Sequence, residues 1–267
     1  MKSLKLLSAF IIFSLFACSK SDDVTQTQQP VATLPAPAPI PTPVVVNVTN
    51  LTTTVPVFNF AYKTYYQTPA NANNRKGLII LAHGDGSSSS DTTINDQCAA
   101  LANMGYVAVT TSYRPFVDTY NNHYNTFKGD MEKVIQDLTA LYNIPVANVT
   151  LGGLSRGGNL AINMFLPADA GAAIQPTTLN LKGAILMCAG GDTWKGTNFK
   201  KPVLYMNNAV DPTVGVTDAN LFKNGLLNNV NPNVATLSKC LIVAGSGHCT
   251  GADQYKIHIT NNINSFY

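Results

Sequence analysis

The feature that most constrains this chain is a run of glycines around one serine, Gly152-Gly153-Leu154-Ser155-Arg156-Gly157-Gly158. An apolar run, Val149-Thr150-Leu151, stands before it. Asn159-Leu160-Ala161-Ile162-Asn163-Met164-Phe165 follows and reads as a helix. Strand, Gly-x-Ser-x-Gly, helix is the pattern of a nucleophile elbow. The reason is steric. A serine at so tight a strand-to-helix turn has a strained backbone, and the residues two before and two after it nearly collide. Gly153 and Gly157 carry no Cβ and so permit the turn. Gly158 lets the new helix lie close to the sheet. The turn lifts the Ser155 hydroxyl above the sheet and aims the Arg156 N–H and the helix N-terminus at whatever Ser155 attacks. A tight βα connection or an anion-binding loop has the same bare motif, so the rest of the chain decides.

The rest of the chain alternates strands and helices. Residues 55–62 and 63–66 read as early antiparallel strands. Residues 78–82 and 107–111 read as strands buried on both faces. Later strands are read at 184–187, 203–206 and 240–244. Asp91 is placed to cap a helix with Ile94, Cys98, Leu101 and Met104 on one face and Gly105 as its stop. Asp130 is placed to cap another, with Met131, Val134, Ile135, Leu138 and Leu141 on one face. Residues 218–227 look helical, and the tail spaces Tyr255, Ile259, Ile263 and Phe266 as a helix does. This alternation predicts a three-layer α/β fold, a mainly parallel sheet with helices on both faces. In such sheets the site lies beyond the carboxyl ends of the strands.

The 267 residues are enough for one domain of this kind. Charged residues make up only 12% and the net charge is +3, which argues against a nucleic-acid partner. Lys2 and Lys5 followed by an apolar stretch at 6–17 read as an export signal too short to span a bilayer. It ends in Leu15-Phe16-Ala17-Cys18, which resembles a bacterial lipobox, although Phe16 stands where a small residue is usual. Cys18 is therefore the expected lipidation site. Residues 19–46 form a Pro-rich tether, and 47–267 the folded domain. The expected location is the outer membrane, reached through that lipid anchor, or otherwise the exterior. Cys98, Cys188, Cys240 and Cys249 are expected mostly as unpaired buried thiols. Cys240 and Cys249 lie at opposite ends of a predicted strand, on the order of 15 Å apart and beyond disulfide reach. Cys/His ligand spacings are absent, so no metal is expected.

Three positions now fall at strand ends in one chain order: Ser155 at the elbow, Asp211 after the strand beginning at Val203, and His248 in Gly245-Ser246-Gly247-His248 after the last strand. On these residues the domain resembles the α/β-hydrolase superfamily, in particular esterases and dienelactone-hydrolase-like enzymes. The resemblance implies a serine nucleophile at Ser155, a general base at His248 and an orienting acid at Asp211. It implies an oxyanion hole built from the backbone N–H of Arg156 and of Gly84 or Asp85 in His83-Gly84-Asp85-Gly86, which is similar to the family's HGGG-type loop. It implies hydrolysis of a carboxylic ester, small or polymer-borne, with no cofactor. Asp192 is a rival acid. His258 is the rival base, off the apolar face of a predicted helix; His123, in a polar loop, either lines the cleft or is exposed, with exposure expected, and His83 is expected to support its loop rather than act as the base. Tyr113, Arg114, Pro115, Phe116 and Trp194 follow strand ends, where they either line a pocket or pack. The competing functions are a serine peptidase, an acyltransferase and a non-catalytic binding protein on the same fold.

Overall fold

The computed structural model describes residues 46–55, 58–67, 75–115, 119–168 and 175–266. The signal, Cys18 and the tether up to residue 45 lie outside the described residues, as do Pro56, Val57 and Phe116. Eight strands form one sheet in the order β1-β2-β4-β3-β5-β6-β7-β8. β1 (Val46–Val55) and β2 (Phe58–Gln67) pair antiparallel, and β2 also runs antiparallel to β4. The two strands therefore cover 46–55 and 58–67, not 55–62 and 63–66 as the sequence suggests. β1 begins at Val46, the last residue assigned to the tether. The other strands are all parallel: β3 (Leu78–Ala82), β4 (Val107–Thr111), β5 (Val149–Leu154), β6 (Gly183–Met187), β7 (Val203–Val210) and β8 (Lys239–Ser246).

Alternation along β3 shows how the layers form. Leu78, Ile80 and Ala82 enter one apolar cluster, while Ile79 and Leu81 enter another. Successive side chains of a strand point to opposite faces, so two clusters mean two covered faces. The first face is covered by α2 (Tyr120–Tyr142), α3 (Arg156–Asn163) and α5 (Val216–Leu227), through residues such as Met131, Leu160 and Phe222. The second is covered by α1 (Thr92–Asn103) and α7 (Ala252–Asn262), through Ile94, Leu101, Tyr255 and Ile259. Asp91 caps α1 as expected, accepting the N–H groups of Thr93 and Ile94, and Gly105 follows at φ +95°. The short helices α4 (Thr193–Asn198) and α6 (Pro232–Leu237) complete the layers.

Helix α2 corrects one expectation. Asp130 does not cap it; the cap is Thr119, eleven residues earlier, whose hydroxyl accepts the Asn122 N–H. Polar residues disguise the first turns, yet His123, Tyr124 and Phe127 continue the buried face of Met131, Val134, Ile135 and Leu138. Leu141, expected on that face, is exposed. Asp130 is instead a buried carboxylate in mid-helix. It accepts the Arg114 backbone N–H at 3.0 Å and the Arg114 Nε at 2.8 Å, and its Oδ1 lies 2.5 Å from Nη2. Burial pushes the Asp130 carboxyl above the ordinary range even so. This pair fixes the loop after β4. Removing one partner of a buried ion pair strands the other, so Arg114→Met is expected to cost about 3–5 kcal/mol of stability. Adding Asp130→Asn should restore most of it. Equal urea midpoints for wild type and Arg114→Met would contradict this.

Candidate active site

The elbow is the first piece. Ser155 sits between β5 and α3 at φ 48°, ψ −115°, outside the ordinary regions for a side-chain-bearing residue. Its N–H donates to the Met187 carbonyl of β6 at 2.8 Å, and its carbonyl accepts the Asn159 N–H at 2.8 Å. Such a conformation persists only where the surroundings enforce it. A Cβ on Gly157 would lie 2.4 Å from the His83 carbonyl oxygen. The close approach therefore joins the elbow to the loop after β3. Gly157→Ala is expected to destabilise the fold by ~4 kcal/mol or more. A melting temperature within about 2 °C of wild type would show that the loop can give way.

The second and third pieces meet Ser155 from β7 and β8. The Ser155 Oγ lies 2.7 Å from His248 Nε2. The other ring nitrogen, Nδ1, lies 3.0 Å and 2.9 Å from the two oxygens of Asp211. A carboxylate only accepts, so Nδ1 carries the hydrogen and Nε2 is free to accept from the serine hydroxyl. The Asp211 side chain is fully buried, while that of His248 is 26% exposed. Two backbone N–H groups, of Thr213 and Val214, also donate to Asp211 Oδ1. The acid is therefore held by its own turn as well as by the imidazole.

The loop after β3 supplies the remaining wall. A Cβ on Gly84 would stand 3.5 Å from the Ser155 Cβ, so this backbone lies against the serine. His83 Nδ1 donates to the Gly84 carbonyl at 2.6 Å. In a trans peptide the next N–H, that of Asp85, points the opposite way. His83 itself is buried and stacks on Tyr113, with ring centroids 4.4 Å apart, and Tyr113 donates its hydroxyl to the His83 carbonyl. Burial holds the His83 imidazole below its ordinary range. It is a strut for the loop, as its position in the sequence suggested. Arg156 Nη2 lies 3.6 Å from Asp85 Oδ2 across the two elements. Asp85 is mostly exposed there, so this pair adds little stability.

No family model matches the sequence, and no curated protein does. Solved structures do. Thermogutta terrifontis esterase 2 phosphonylated by cyclosarin is 18% identical, with a TM-score of 0.61 over 82% of this chain and 92% of that one. The butyrate-bound form of that esterase is 17% identical, with a TM-score of 0.60 over 77% and 88%. A protein named FAE is 14% identical, with a TM-score of 0.59 over 85% and 90%. The chain has the α/β-hydrolase fold. At these identities the likeness is one of fold.

Within that hydrolase fold the rival residues fall elsewhere. Asp192 caps α4, accepting the Lys195 N–H at 2.8 Å. His258 lies on α7. His123, expected at the surface, is buried in the first turn of α2, where its Nε2 lies 3.2 Å from the Arg114 carbonyl. Tyr113 and Arg114 pack as described above, and Trp194 is half exposed on α4.

Two features near His248 escaped the sequence reading. Asn208, fully buried on β7, donates from Nδ2 to the Gly247 carbonyl at 2.8 Å and to Thr250 Oγ1 at 2.9 Å. It also accepts the Tyr255 hydroxyl. A polar pair, Asn207-Asn208, inside an apolar strand was the available signal. The other feature is a disulfide between Cys188 and Cys249, with Cα atoms 5.5 Å apart. This corrects the expectation of unpaired thiols, which holds only for Cys98 and Cys240. The partners are 61 residues apart and extend from strands separated by β7. Only the fold-back of the loop after β8 brings them together.

Proposed function

We propose that this chain is a serine carboxylic-ester hydrolase working through an acyl-enzyme on Ser155. The observation that carries the reading is the continuous array from Ser155 Oγ through both nitrogens of His248 to the buried Asp211. A serine hydroxyl is a weak nucleophile at neutral pH. His248 Nε2 takes its proton as Oγ attacks the ester carbonyl, and gives it to the departing alcohol. Asp211 holds the tautomer that makes this possible and stabilises the imidazolium. General-base help of this kind is worth ~10²–10⁴-fold. The oxyanion that forms faces the Arg156 N–H, in the first turn of α3 where amides have no intrahelical partner, and the backbone of Gly84 and Asp85. Water then enters, His248 removes its proton, and the acid leaves.

The phosphonylated and butyrate-bound forms of the Thermogutta esterase support this reading, since they carry an acid derivative on the same fold. The substrate is read as a small or polymer-borne ester. The location is read as extracytoplasmic, with Cys18 as the lipid anchor; the disulfide is in keeping with an oxidising compartment. The test is pre-steady-state kinetics with p-nitrophenyl acetate and butyrate on the wild-type chain. A burst equal to the enzyme concentration, with fluorophosphonate labelling mapped to Ser155, is the expected result. No burst and no label on the folded protein would overturn the assignment. A Cys18→Ala variant that still takes up labelled fatty acid would remove the anchor.

A further inference from the structure

We propose that the Cys188–Cys249 disulfide is a reducible tie that sets the position of His248, so that ester turnover depends on its thiol–disulfide state. The inference rests on the ester-hydrolase reading of Ser155 and His248.

Apart from the Ser155 Oγ–His248 Nε2 contact itself, the hydrogen bonds described for the histidine loop run to one side. Gly247 donates its N–H to the Val210 carbonyl at 2.7 Å, its carbonyl accepts from Asn208, and His248 Nδ1 reaches Asp211. All three partners stand on or directly after β7. They hold the imidazole to its acid but not to its serine. The disulfide runs the other way, to β6. Cys188 is the residue after β6, fully buried, with its N–H on the Met206 carbonyl of β7 at 2.8 Å. Its predecessor Met187 accepts the Ser155 N–H. One covalent path therefore leads from the backbone that holds the nucleophile to the residue beside the base. Cys188 and Cys249 both have left-handed backbones, at φ 42° and 58°. Residues with side chains disfavour that region, and both ends of the bridge lie in it.

The sulfur also has a chemical position. Cys249 Sγ lies 3.5 Å from His248 Nε2, the nitrogen that meets Ser155. In the disulfide this sulfur has no hydrogen, so Ser155 is the donor to Nε2. A freed Cys249 thiol is a second donor to the same nitrogen. Transfer of its proton gives a thiolate–imidazolium pair, as in cysteine–histidine nucleophile pairs. An imidazolium cannot take the serine proton.

The exchange itself is balanced with a dithiol reductant. Its thiolate attacks Sγ of Cys249, the less buried of the two cysteines. The S–S bond breaks, a mixed disulfide forms on Cys249, and Cys188 leaves as a thiolate and is protonated. The reductant's second thiol then attacks the mixed disulfide and releases Cys249. The protein gains two electrons and two protons, and the reductant becomes a disulfide.

The experiment uses the full chain, air-oxidised and then treated with dithiothreitol, with reduction verified by mass after alkylation and folding by near-ultraviolet circular dichroism. Reduction is expected to lower kcat for p-nitrophenyl butyrate at least tenfold with KM changed less than about threefold, and reoxidation to restore it. Turnover by the double variant Cys188→Ala, Cys249→Ala should ignore dithiothreitol. Cys188→Ala alone, which leaves the Cys249 thiol beside Nε2, should fall below the double variant. The His248 ring resonances should move on reduction, a readout that needs no turnover. If the oxidised chain turns over no ester, the hydrolase reading fails, and these resonances still decide the tie. Verified reduction that leaves kcat within about twofold, or leaves the ring resonances in place, overturns the proposal.

Discussion

Replacing Ser155 by alanine is expected to lower kcat for a p-nitrophenyl ester by roughly 10⁶-fold, and His248→Ala by a similar factor. The double variant should be no worse than either. The proposed mechanism requires this. Ser155 Oγ and His248 Nε2 are 2.7 Å apart and share one proton transfer. A base without its nucleophile has nothing to deprotonate at the carbonyl, and a hydroxyl without its base is as weak as any alcohol. Residual catalysis of ~10³–10⁴ over water is expected from the proposed oxyanion-binding backbone, which neither substitution touches. Additive losses would mean that the two side chains act in separate steps. A Ser155→Ala variant within about tenfold of wild type would mean that the elbow serves only to turn the chain. The measurement is single-turnover kinetics, with fluorophosphonate labelling of each variant as the second observable.

What the sequence made legible here was whatever local sterics decide. The elbow could be read because a turn this tight leaves little alternative to glycine at 153 and 157. The meeting of Asp211 and His248 with Ser155 could be anticipated because buried strands announce themselves and candidate sites collect at their ends. Leu78 to Ala82 is such a strand, and every residue of it is buried. The start of α2 was hidden, because residues 119–126 are mostly polar and buried among them are His123 and Tyr124, whose partners lie on other elements. Asp130 looked like a helix cap for the same reason. Its partner, Arg114, lies 16 residues earlier, and only packing brings the two together. The disulfide was the largest omission. Strand length does keep Cys240 and Cys249 apart, and Cys240 is a free thiol. The true partner of Cys249 stands past the end of β6, across an intervening strand, where no spacing rule reaches. Asn208 belongs with it. A polar residue inside β7 makes sense only once the Gly247 carbonyl and the Tyr255 hydroxyl are seen around it.

Asp211→Asn should separate the acid's electrostatic work from its structural work, with kcat expected to fall ~10⁴-fold while the fold holds. In the proposed mechanism Asp211 does two jobs at once. Its Oδ1 accepts the N–H groups of Thr213 and Val214 at 2.8 Å and 2.9 Å, and both oxygens face His248 Nδ1. Asparagine matches the volume, and its carbonyl oxygen can keep the two backbone donors. Its amide nitrogen then stands where Oδ2 met the imidazole. Two N–H groups cannot face each other, so the ring adopts the tautomer with its hydrogen on Nε2. That hydrogen points at Ser155, and the histidine no longer accepts the serine proton. Stability within about 1 kcal/mol of wild type and an unchanged KM are expected beside the loss of kcat. Asp211→Ala instead strands the buried Val214 N–H, at about 1–3 kcal/mol, and removes the partner of the part-buried Thr213 N–H, so it should lose stability as well as turnover. If Asp211→Asn kept kcat within about tenfold while Asp211→Ala unfolded, Asp211 would be the turn former that its neighbour Pro212 suggests, and His248 would have to find its orientation elsewhere.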